Sequence, residues 1–518
     1  QWQKMEKVES KEAIVKTNLH GRNVETIHPS YQAWSYVSMI EDYNEDVRRY
    51  KINLKPCAYL HNYRLKENDD LVDECYEYYI DKAPVFTRGD TDRLSKFISK
   101  YIKKGNPEVL YHIDHGRIVP SKSLQDSLSS MLRGNQEFTL IDDQKVVFER
   151  ALEIVKKEEK KKVYIVHGGP GTGKTVLAIN MLVAILNMDQ NVMYVTKNSA
   201  PREVYRKKLT DGKYRKAYID NLFKGSGSFT EAISDDFDCL IVDEAHRLNE
   251  KSGMFQNLGE NQVKEIINAA KTSIFFVDDF QMVTTKDIGS TNEIKKWCRY
   301  FDAEVYEDTL LSQFRCNGSD SYLSWIDNVL EINLEATDDF DFDYDIRICD
   351  SPEEVRELIL EKNKINNKSR MVAGYCWNWI KEGKNNSDIH DIQIGDFGMS
   401  WNLGSSSTWA IDPESVNEIG CIHTCQGLEF DYVGVIIGED LRYDDGIITD
   451  FTKRARTDQS LKGLKGLYKK NKEEALKIAD RIIKNTYRTL LTRGQKGCYI
   501  YCVDKDLQEY LKKRLKKS

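Results

Sequence analysis

Two patterns alternate along most of this chain: short unbroken apolar runs, and longer stretches in which apolar residues recur every three or four positions. The first marks strands buried on both faces, the second helices packed over them. Val163-Tyr164-Ile165-Val166 predicts one buried strand; Val192–Val195, Cys239–Val242 and Ser273–Val277 predict three more. MVAGYCW and the runs on either side of HTCQGLEF carry the rhythm into the second half. That half closes on NTYRTLLTRGQKGCYIYCVD, read as a helix, a turn and a strand. The alternation predicts layered α/β units over residues 126–315 and 316–518. Residues 439–484 read as an insertion, partly a Lys-rich helix.

The first 125 residues are mixed. Ala13-Ile14-Val15 and Ala58-Tyr59-Leu60 predict short strands. HPSYQAWSYVSMIEDYNEDV predicts a helix entered through a proline, with Gln32 and Tyr36 on one face. Thr91 to Lys104 predicts an amphipathic helix, and residues 105–135 loops with a connecting helix.

Composition narrows the class. A chain of 518 residues predicts about three domains. Hydrophobic residues make up 40% and charged residues 31%, as in a soluble protein. No run approaches the ~18 apolar residues of a membrane span, and no secretory signal opens the chain, so a cytoplasmic protein without a membrane partner is expected. The chain begins at Gln1 without Met, so residues upstream are expected. Eleven Cys without a C-x-x-C pair suit reduced thiols. The net charge of −7 does not announce a nucleic-acid binder, but the stretch from Lys453 to Ser518 is basic, and a local groove can be basic on an acidic protein.

The candidate chemistry begins where the first buried strand ends. GGPGTGKT fits G-x-x-x-x-G-K-[ST], with Gly168, Gly169, Pro170, Gly171, Thr172, Gly173, Lys174 and Thr175 between that strand and a helix. Its glycines let successive N–H groups face one cavity, which suits a phosphate chain at a helix N-terminus. Lys174 can reach the β- and γ-phosphates, and the Thr175 hydroxyl can hold Mg²⁺. The strand ending in Asp243-Glu244-Ala245-His246 delivers two acids to the same sheet edge: Asp243 for Mg²⁺, Glu244 to polarise the attacking water. Gln144, about one helix before the phosphate loop, can bond an adenine edge. Thr196-Lys197-Asn198-Ser199 ends another strand where open sheets bind ligands. Gln281, after a further strand, can sense the γ-phosphate, and Arg315 in LLSQFRCNG can reach its developing charge. ATP and Mg²⁺ are the expected cofactors.

Set in order, Gln144, GGPGTGKT, TKNS, DEAH, DDFQ, QFR, HTCQGLEF and YRTLLTRG resemble the motif series of the superfamily 1 helicases, most closely a bacterial and archaeal family of DNA/RNA helicases related to the Schlafen helicase domain. The resemblance implies two tandem RecA-like P-loop NTPase domains with ATP between them. It implies an arginine finger, Arg493, from the second domain, joined by Arg315. It also implies Glu429 on the ribose, with Thr196, Asn198, His423 and Thr424 on the nucleic-acid backbone. The partner implied is single-stranded or tailed DNA, with RNA as the alternative. Departures are Asp278 where many relatives have Gly, and Gln426 where one branch has Lys; H-x-x-Q-G leans toward 5′→3′ movement. About 45 residues separate TKNS from DEAH, too few for a large accessory domain.

Gln32-Ala33-Trp34-Ser35-Tyr36 matches the Q-x-x-x-Y helix of RecB-type PD-(D/E)XK nucleases, which implies an α/β nuclease-like segment over residues 1–125. Glu9-Ser10-Lys11 offers an E-x-K, but in a polar stretch, so the metal-binding strand is expected upstream of Gln1. Two classes of function follow: a nucleic-acid motor coupled to a nuclease, with phage defence as the first setting and DNA repair as the second, or an ATP-gated binding module that grips and releases. A second copy or a defence protein is the expected protein partner. Trp401 and Trp409 are candidates for base stacking or for core packing. Cys421, Cys425, Cys498 and Cys502 are candidates for a cluster or for buried apolar positions.

Overall fold

The computed structural model describes residues 4–516 except 20–21, 117–123, 134, 158–159, 198–201, 203–204, 207–208, 210–215, 254–256, 312–319, 334–343, 381–387, 403–408, 410–411 and 426–429. Asn198, Gln313, Arg315, Gln426 and Glu429 therefore lie outside the described residues.

The chain opens with an antiparallel sheet of β1 (Met5–Lys7), β2 (Ile14–Leu19) and β3 (Arg22–Ile27). Helix α1 (Pro29–Tyr43) follows, and then a parallel pair, β4 (Ala58–Leu60) and β5 (Val85–Thr87). Helix α2 (Asp142–Lys156) leads to a six-stranded sheet. Its strands are β6 (Lys162–Gly168), β7 (Val192–Thr196), β8 (Phe223–Lys224), β9 (Phe237–Asp243), β10 (Ala270–Val277) and β11 (Glu304–Leu310). All pairings are parallel, in the order β11-β6-β10-β9-β7-β8. Each central run is buried on both faces: Val163, Ile165, Leu240, Val242, Phe275 and Val277 fill one core, and Tyr164, Val166, Ile241, Ile274 and Phe276 the other. That explains unbroken apolar runs in place of alternation.

A second sheet repeats the scheme. Helix α3 (Lys174–Leu186) follows β6 in the first sheet, and helix α4 (Asp320–Val329) precedes the strands of the second. The strands are β12 (Asp345–Ile348), β13 (Ser369–Ala373), β14 (Ile392–Ile394), β15 (Phe397–Trp401), β16 (Glu418–Gly420), β17 (Phe430–Ile437) and β20 (Gly494–Cys502). Their order is β12-β20-β17-β13-β16-β15-β14, parallel except for the β14/β15 edge. The stretch expected to be an insertion supplies a hairpin, β18 (Leu441–Tyr443) and β19 (Ile447–Thr449), a short helix, and α5 (Lys472–Leu491), which packs over the sheet with α4. It is part of the core: Ala475, Ala479, Ile483, Tyr487 and Leu490 are fully buried.

Trp401 and Trp409 are both buried, Trp401 stacked between Tyr375 and Trp379, so both serve packing and the base-stacking expectation is corrected. Cys421, Cys425, Cys498 and Cys502 are free and buried in the cores of this sheet.

The N-terminal module is joined to α2 by charge. Lys145 Nζ lies 2.9 Å from Glu12 Oε2 and 2.7 Å from Glu149 Oε1, and Glu149 also accepts from Glu12 N at 3.2 Å. Lys11 is buried and pairs with Glu25 and with Glu153 at 2.6 Å, while Glu9 is exposed. Lys11 is thus a packing residue of this joint, not the lysine of an E-x-K metal site.

His28 ties the module internally. Its Nδ1 accepts from Ser30 N at 3.1 Å and caps α1, and its Nε2 donates to Leu71 O at 2.9 Å. Burial pushes its pKa down to about 4, only partly offset by the bond to Leu71. The unfolded chain takes up this proton near pH 6.5, the folded one only near 4. The contribution is therefore complete above pH 6.5 and is lost as pH falls toward 4, by about 3 kcal/mol. Hydrogen exchange of the β2–β3 amides should show that loss in the native chain and little of it in His28→Asn, which keeps a cap acceptor that does not titrate. An equal pH slope in both would count against it.

Candidate active site

The loops at the C-terminal ends of β6, β9 and β10 converge, as adjacent strands of a parallel sheet require. After β6 the chain turns through Gly171 (φ +81°) and Gly173 (φ +78°), left-handed positions that glycine adopts without steric cost. A Cβ on Gly168 would sit 2.5 Å from Thr172 Oγ1. Lys174 opens α3 and folds back over the loop, with Nζ donating to Gly168 O (2.6 Å) and Gly169 O (2.7 Å). Thr175 Oγ1 donates to Asp243 Oδ2 (2.8 Å), and Tyr194 OH donates to the same oxygen (2.6 Å).

Glu244 follows in the left-handed region (φ +54°), which turns its side chain away from that of Asp243. Its Oε2 lies 3.0 Å from His246 Nε2. His246 is wholly buried, and its Nδ1 accepts from Asp278 N at 3.3 Å. That bond leaves the ring proton on Nε2, toward Glu244. Burial works against charge on Glu244, but His246, Lys174 and Arg493 outweigh it and hold the carboxyl below the usual range. In Asp243 burial prevails, reinforced by Glu244, and the pKa is raised.

Two predicted residues meet across the seam between the sheets. Gln281 is buried; its Nε2 donates to Asp278 Oδ2 at 2.7 Å. Its Oε1 accepts from Arg493 Nη2 at 3.2 Å. Arg493, 1% exposed, lies between α5 and β20 and also donates from Nε to Thr489 O at 3.0 Å. Beside this contact, Asn485 Nδ2 donates to Met282 O at 3.0 Å.

Gln144 is buried at the start of α2. Its Nε2 donates to Thr172 O (3.0 Å) and braces the phosphate loop, while its Oε1 accepts from Ile141 N (3.5 Å) and closes the start of its own helix. Next to it, Asp142 is held by α1. Tyr36 OH lies 2.9 and 3.0 Å from its two carboxylate oxygens, and Gln32 Nε2 donates to Oδ1 at 3.0 Å. The Q-x-x-x-Y face thus grips the helix that carries Gln144.

Thr196 is buried at the end of β7, in register with Asp243. Thr424 is buried and donates to Asn402 Oδ1 at 3.0 Å. His423, beside it on the turn Ile422–Cys425, keeps an exposed edge. The sequence assigned no role to Tyr194 and Arg247, and none of their own to His246 and Lys197, which it placed within DEAH and TKNS. The signal for Lys197 and Arg247 was a basic residue in or directly after a strand-end motif, TKNS and DEAHR.

A glycine-rich turn between strand and helix, a lysine folded over it, and a Thr–Asp pair at the neighbouring strand end define a P-loop nucleotide-binding protein. The chain belongs to the family described as Schlafen group 3, DNA/RNA helicase domain, whose model matches residues 161–504. This membership supports a nucleic-acid-acting protein that uses ATP. The chain is also similar to the uncharacterized protein YPL245W of Saccharomyces cerevisiae, 29% identical over an alignment of 305 residues that covers 54% of this chain. It spans 65% of that relative's length. Among solved structures, a Bacteroides Pif1 helicase in complex with ADP-AlF3 and ssDNA matches at 12% identity and TM-score 0.26, covering 62% of this chain and 97% of that one. Saccharomyces cerevisiae Dbp5 bound to Gle1 and IP6 matches at 14% identity and TM-score 0.35, covering 76% of this chain and 90% of that one. No helix among the described residues is long and apolar enough to cross a membrane.

Proposed function

We propose that this chain is an ATP-driven translocase on nucleic acid, built on two tandem RecA-like lobes with the nucleotide between them. The observation that supports it most is the 3.2 Å bond from Arg493 to Gln281, which carries an arginine of the second sheet to the loops that hold Lys174 and Glu244. In this reading Lys174 leaves the Gly168 and Gly169 carbonyls for the β- and γ-phosphates. Glu244, ionised and aligned by His246, orients the attacking water. Arg493 and Gln281 meet the charge that develops on the γ-phosphate.

Thr175 Oγ1 and Asp243 Oδ2, hard oxygens 2.8 Å apart, are a donor set that fits Mg²⁺. When bound, the ion neutralises charge across the phosphates. Gln144 would exchange its backbone bonds for an adenine edge. From the family resemblance, Glu429 is proposed on the ribose, Arg315 beside Arg493, and Asn198, Thr196, His423 and Thr424 along the strand. Closure on ATP and reopening after hydrolysis would move that strand stepwise.

The test is steady-state ATPase activity with and without single-stranded DNA or RNA, followed by displacement of streptavidin from a biotinylated strand. Stimulation together with displacement is expected. Stimulation without displacement would favour a module that grips and releases, and a rate indifferent to every nucleic acid would remove the motor. Coupling to a nuclease rested on Gln32 and Tyr36, which here engage Asp142. Among the described residues no group of three His, Cys, Asp or Glu is arranged to hold a metal.

A further inference from the structure

Beside the nucleotide loops, the same seam holds a second group of charges. Arg247 closes the turn Ala245–Arg247 that begins at Glu244, and its backbone N donates to Glu244 O at 3.0 Å. Its side chain is 92% buried by the 8% exposure of the residue, yet its Nε meets no acceptor and no carboxylate among the described residues pairs with it. Lys197, just past β7, donates to Asn249 Oδ1 at 2.7 Å and stands 3.6 Å from Asp287 Oδ1, too far for a hydrogen bond. The other oxygen of Asp287 is taken by Val283 N (3.0 Å) and Thr284 N (2.9 Å). From the second sheet comes His423, whose Nε2 lies 3.3 Å from Ser460 Oγ. Asp458, two residues before Ser460, is engaged by Ser460 N at 2.7 Å and by Arg454 at 3.5 Å.

Two cations, Lys197 and Arg247, share one buried carboxylate here, Asp287. Burial and the Arg247 guanidinium push the Lys197 ammonium down to about 8 against the pull of Asp287, and His423, which keeps an exposed edge, is lowered by the same two causes against Asp458 and Asp287. A buried guanidinium nitrogen without an acceptor, as Arg247 Nε is, is a costly arrangement that an anionic ligand would relieve. The group adjoins the nucleotide loops: Arg247 ends the turn that Glu244 begins, and Cys425 feels both Arg493 and Arg247.

We propose that Lys197, Arg247 and His423 form an anion hole for one backbone phosphodiester of the bound nucleic acid, with Arg247 as its principal ligand. The assignment rests on the motor reading. Arg and Lys at one point suit a singly charged tetrahedral group, Arg by its fork and Lys as a point charge. A neutral His423 can add a hydrogen bond. Both lobes contribute, so a strand lying across the seam reaches all three at once. Arg247 shares its turn with His246, which touches Glu244, so occupancy of the hole bears on the residue proposed to orient the attacking water. That link offers a route by which nucleic acid raises the hydrolysis rate.

The test is fluorescence anisotropy of a labelled single-stranded oligonucleotide over a salt series, without nucleotide, on the full chain, Arg247→Gln, Arg247→Lys and Lys197→Gln. Losing one phosphate contact should lower the slope of log K against log[salt] by about 0.7 for a single strand. Affinity should fall about tenfold in Arg247→Gln, and Arg247→Lys should keep the native slope. Lys197, more exposed than Arg247, gives a second variant should Arg247→Gln melt early, and the same drop in slope is expected there. An unchanged slope in folded Arg247→Gln or Lys197→Gln, with native binding intact, overturns the hole and leaves the motor standing. If the native chain binds no oligonucleotide, both readings fall together. Inorganic phosphate serves as the second probe. Should it raise the melting temperature of the native chain but not of Arg247→Gln while the slopes agree, the hole takes free phosphate and the nucleic-acid assignment is overturned.

Discussion

Arg493→Ala lowers nucleic-acid-stimulated ATP hydrolysis by about 10³–10⁵ in rate, the range associated with an arginine finger, while ATP affinity changes far less. The expectation follows from where the guanidinium sits. It is buried, it belongs to the segment that enters β20, and it reaches Gln281 at the edge of the other sheet. A charge delivered from the opposite lobe acts chiefly when closure brings it to the γ-phosphate, so its loss should be felt in turnover more than in binding. The substitution also removes the Arg493 bonds to Gln281 Oε1 and Thr489 O, a loss of about 0.5–1.5 kcal/mol of stability for each; Thr489 O keeps the bond from Thr492 Oγ1. Melting temperatures and direct ATP titration separate that effect from catalysis. Arg493→Lys keeps the charge but cannot serve Thr489 and Gln281 together with the same fork, and should recover only a small part of the rate. A turnover within tenfold of native in folded Arg493→Ala would end the interpretation of this residue as a finger.

The contrast between Lys174 and Arg493 shows what the chain discloses in one dimension. Lys174, Thr175, Asp243 and Glu244 stand at the ends of runs such as VYIV and CLIV, whose unbroken apolar character forces a strand buried on both faces. Parallel pairing then brings those ends together. The Thr175–Asp243 bond spans 68 residues, yet it follows from β6 and β9 sharing a sheet. The Arg493–Gln281 bond spans 212 residues and joins two sheets. No periodicity specifies it, and only the family resemblance pointed there.

The N-terminal module was harder to read for a different reason. β1 and β3 carry mostly exposed polar residues, MEK and RNVETI, so neither shows an apolar run, and only the pairing with β2 makes them strands. The partners of Lys11 and of the Gln32–Tyr36 face could not be read from the chain, because Glu153 and Asp142 lie more than a hundred residues away. Arg247 was overlooked because a basic residue after DEAH reads as a solvated surface position. It is 8% exposed, and its charge is felt by His423 and Lys197 from two other elements.

Glu244→Gln should leave ATP bound and stop its hydrolysis, with a single-turnover rate about 10²–10⁴ lower, the contribution expected of a positioned general base. The exchange is nearly isosteric. Gln meets the same left-handed backbone strain as Glu at φ +54°, and its amide can still face His246 Nε2, so the fold and the phosphate loop should be little disturbed. What disappears is the carboxylate charge that His246, Lys174 and Arg493 keep ionised against the pull of burial. An amide cannot accept the proton of the attacking water. Asp243, whose Oδ2 already accepts from Thr175 and Tyr194, is oriented toward the hydroxyl pair and cannot take over the task without giving up those bonds. The measurement is equilibrium binding of ATP with Mg²⁺ beside single-turnover hydrolysis on the same protein. Tight binding with hydrolysis suppressed is the expected pair of results. Hydrolysis within tenfold of native would mean that water is oriented by some other group, and would leave Glu244 with only the structural role of turning the chain from β9 toward His246.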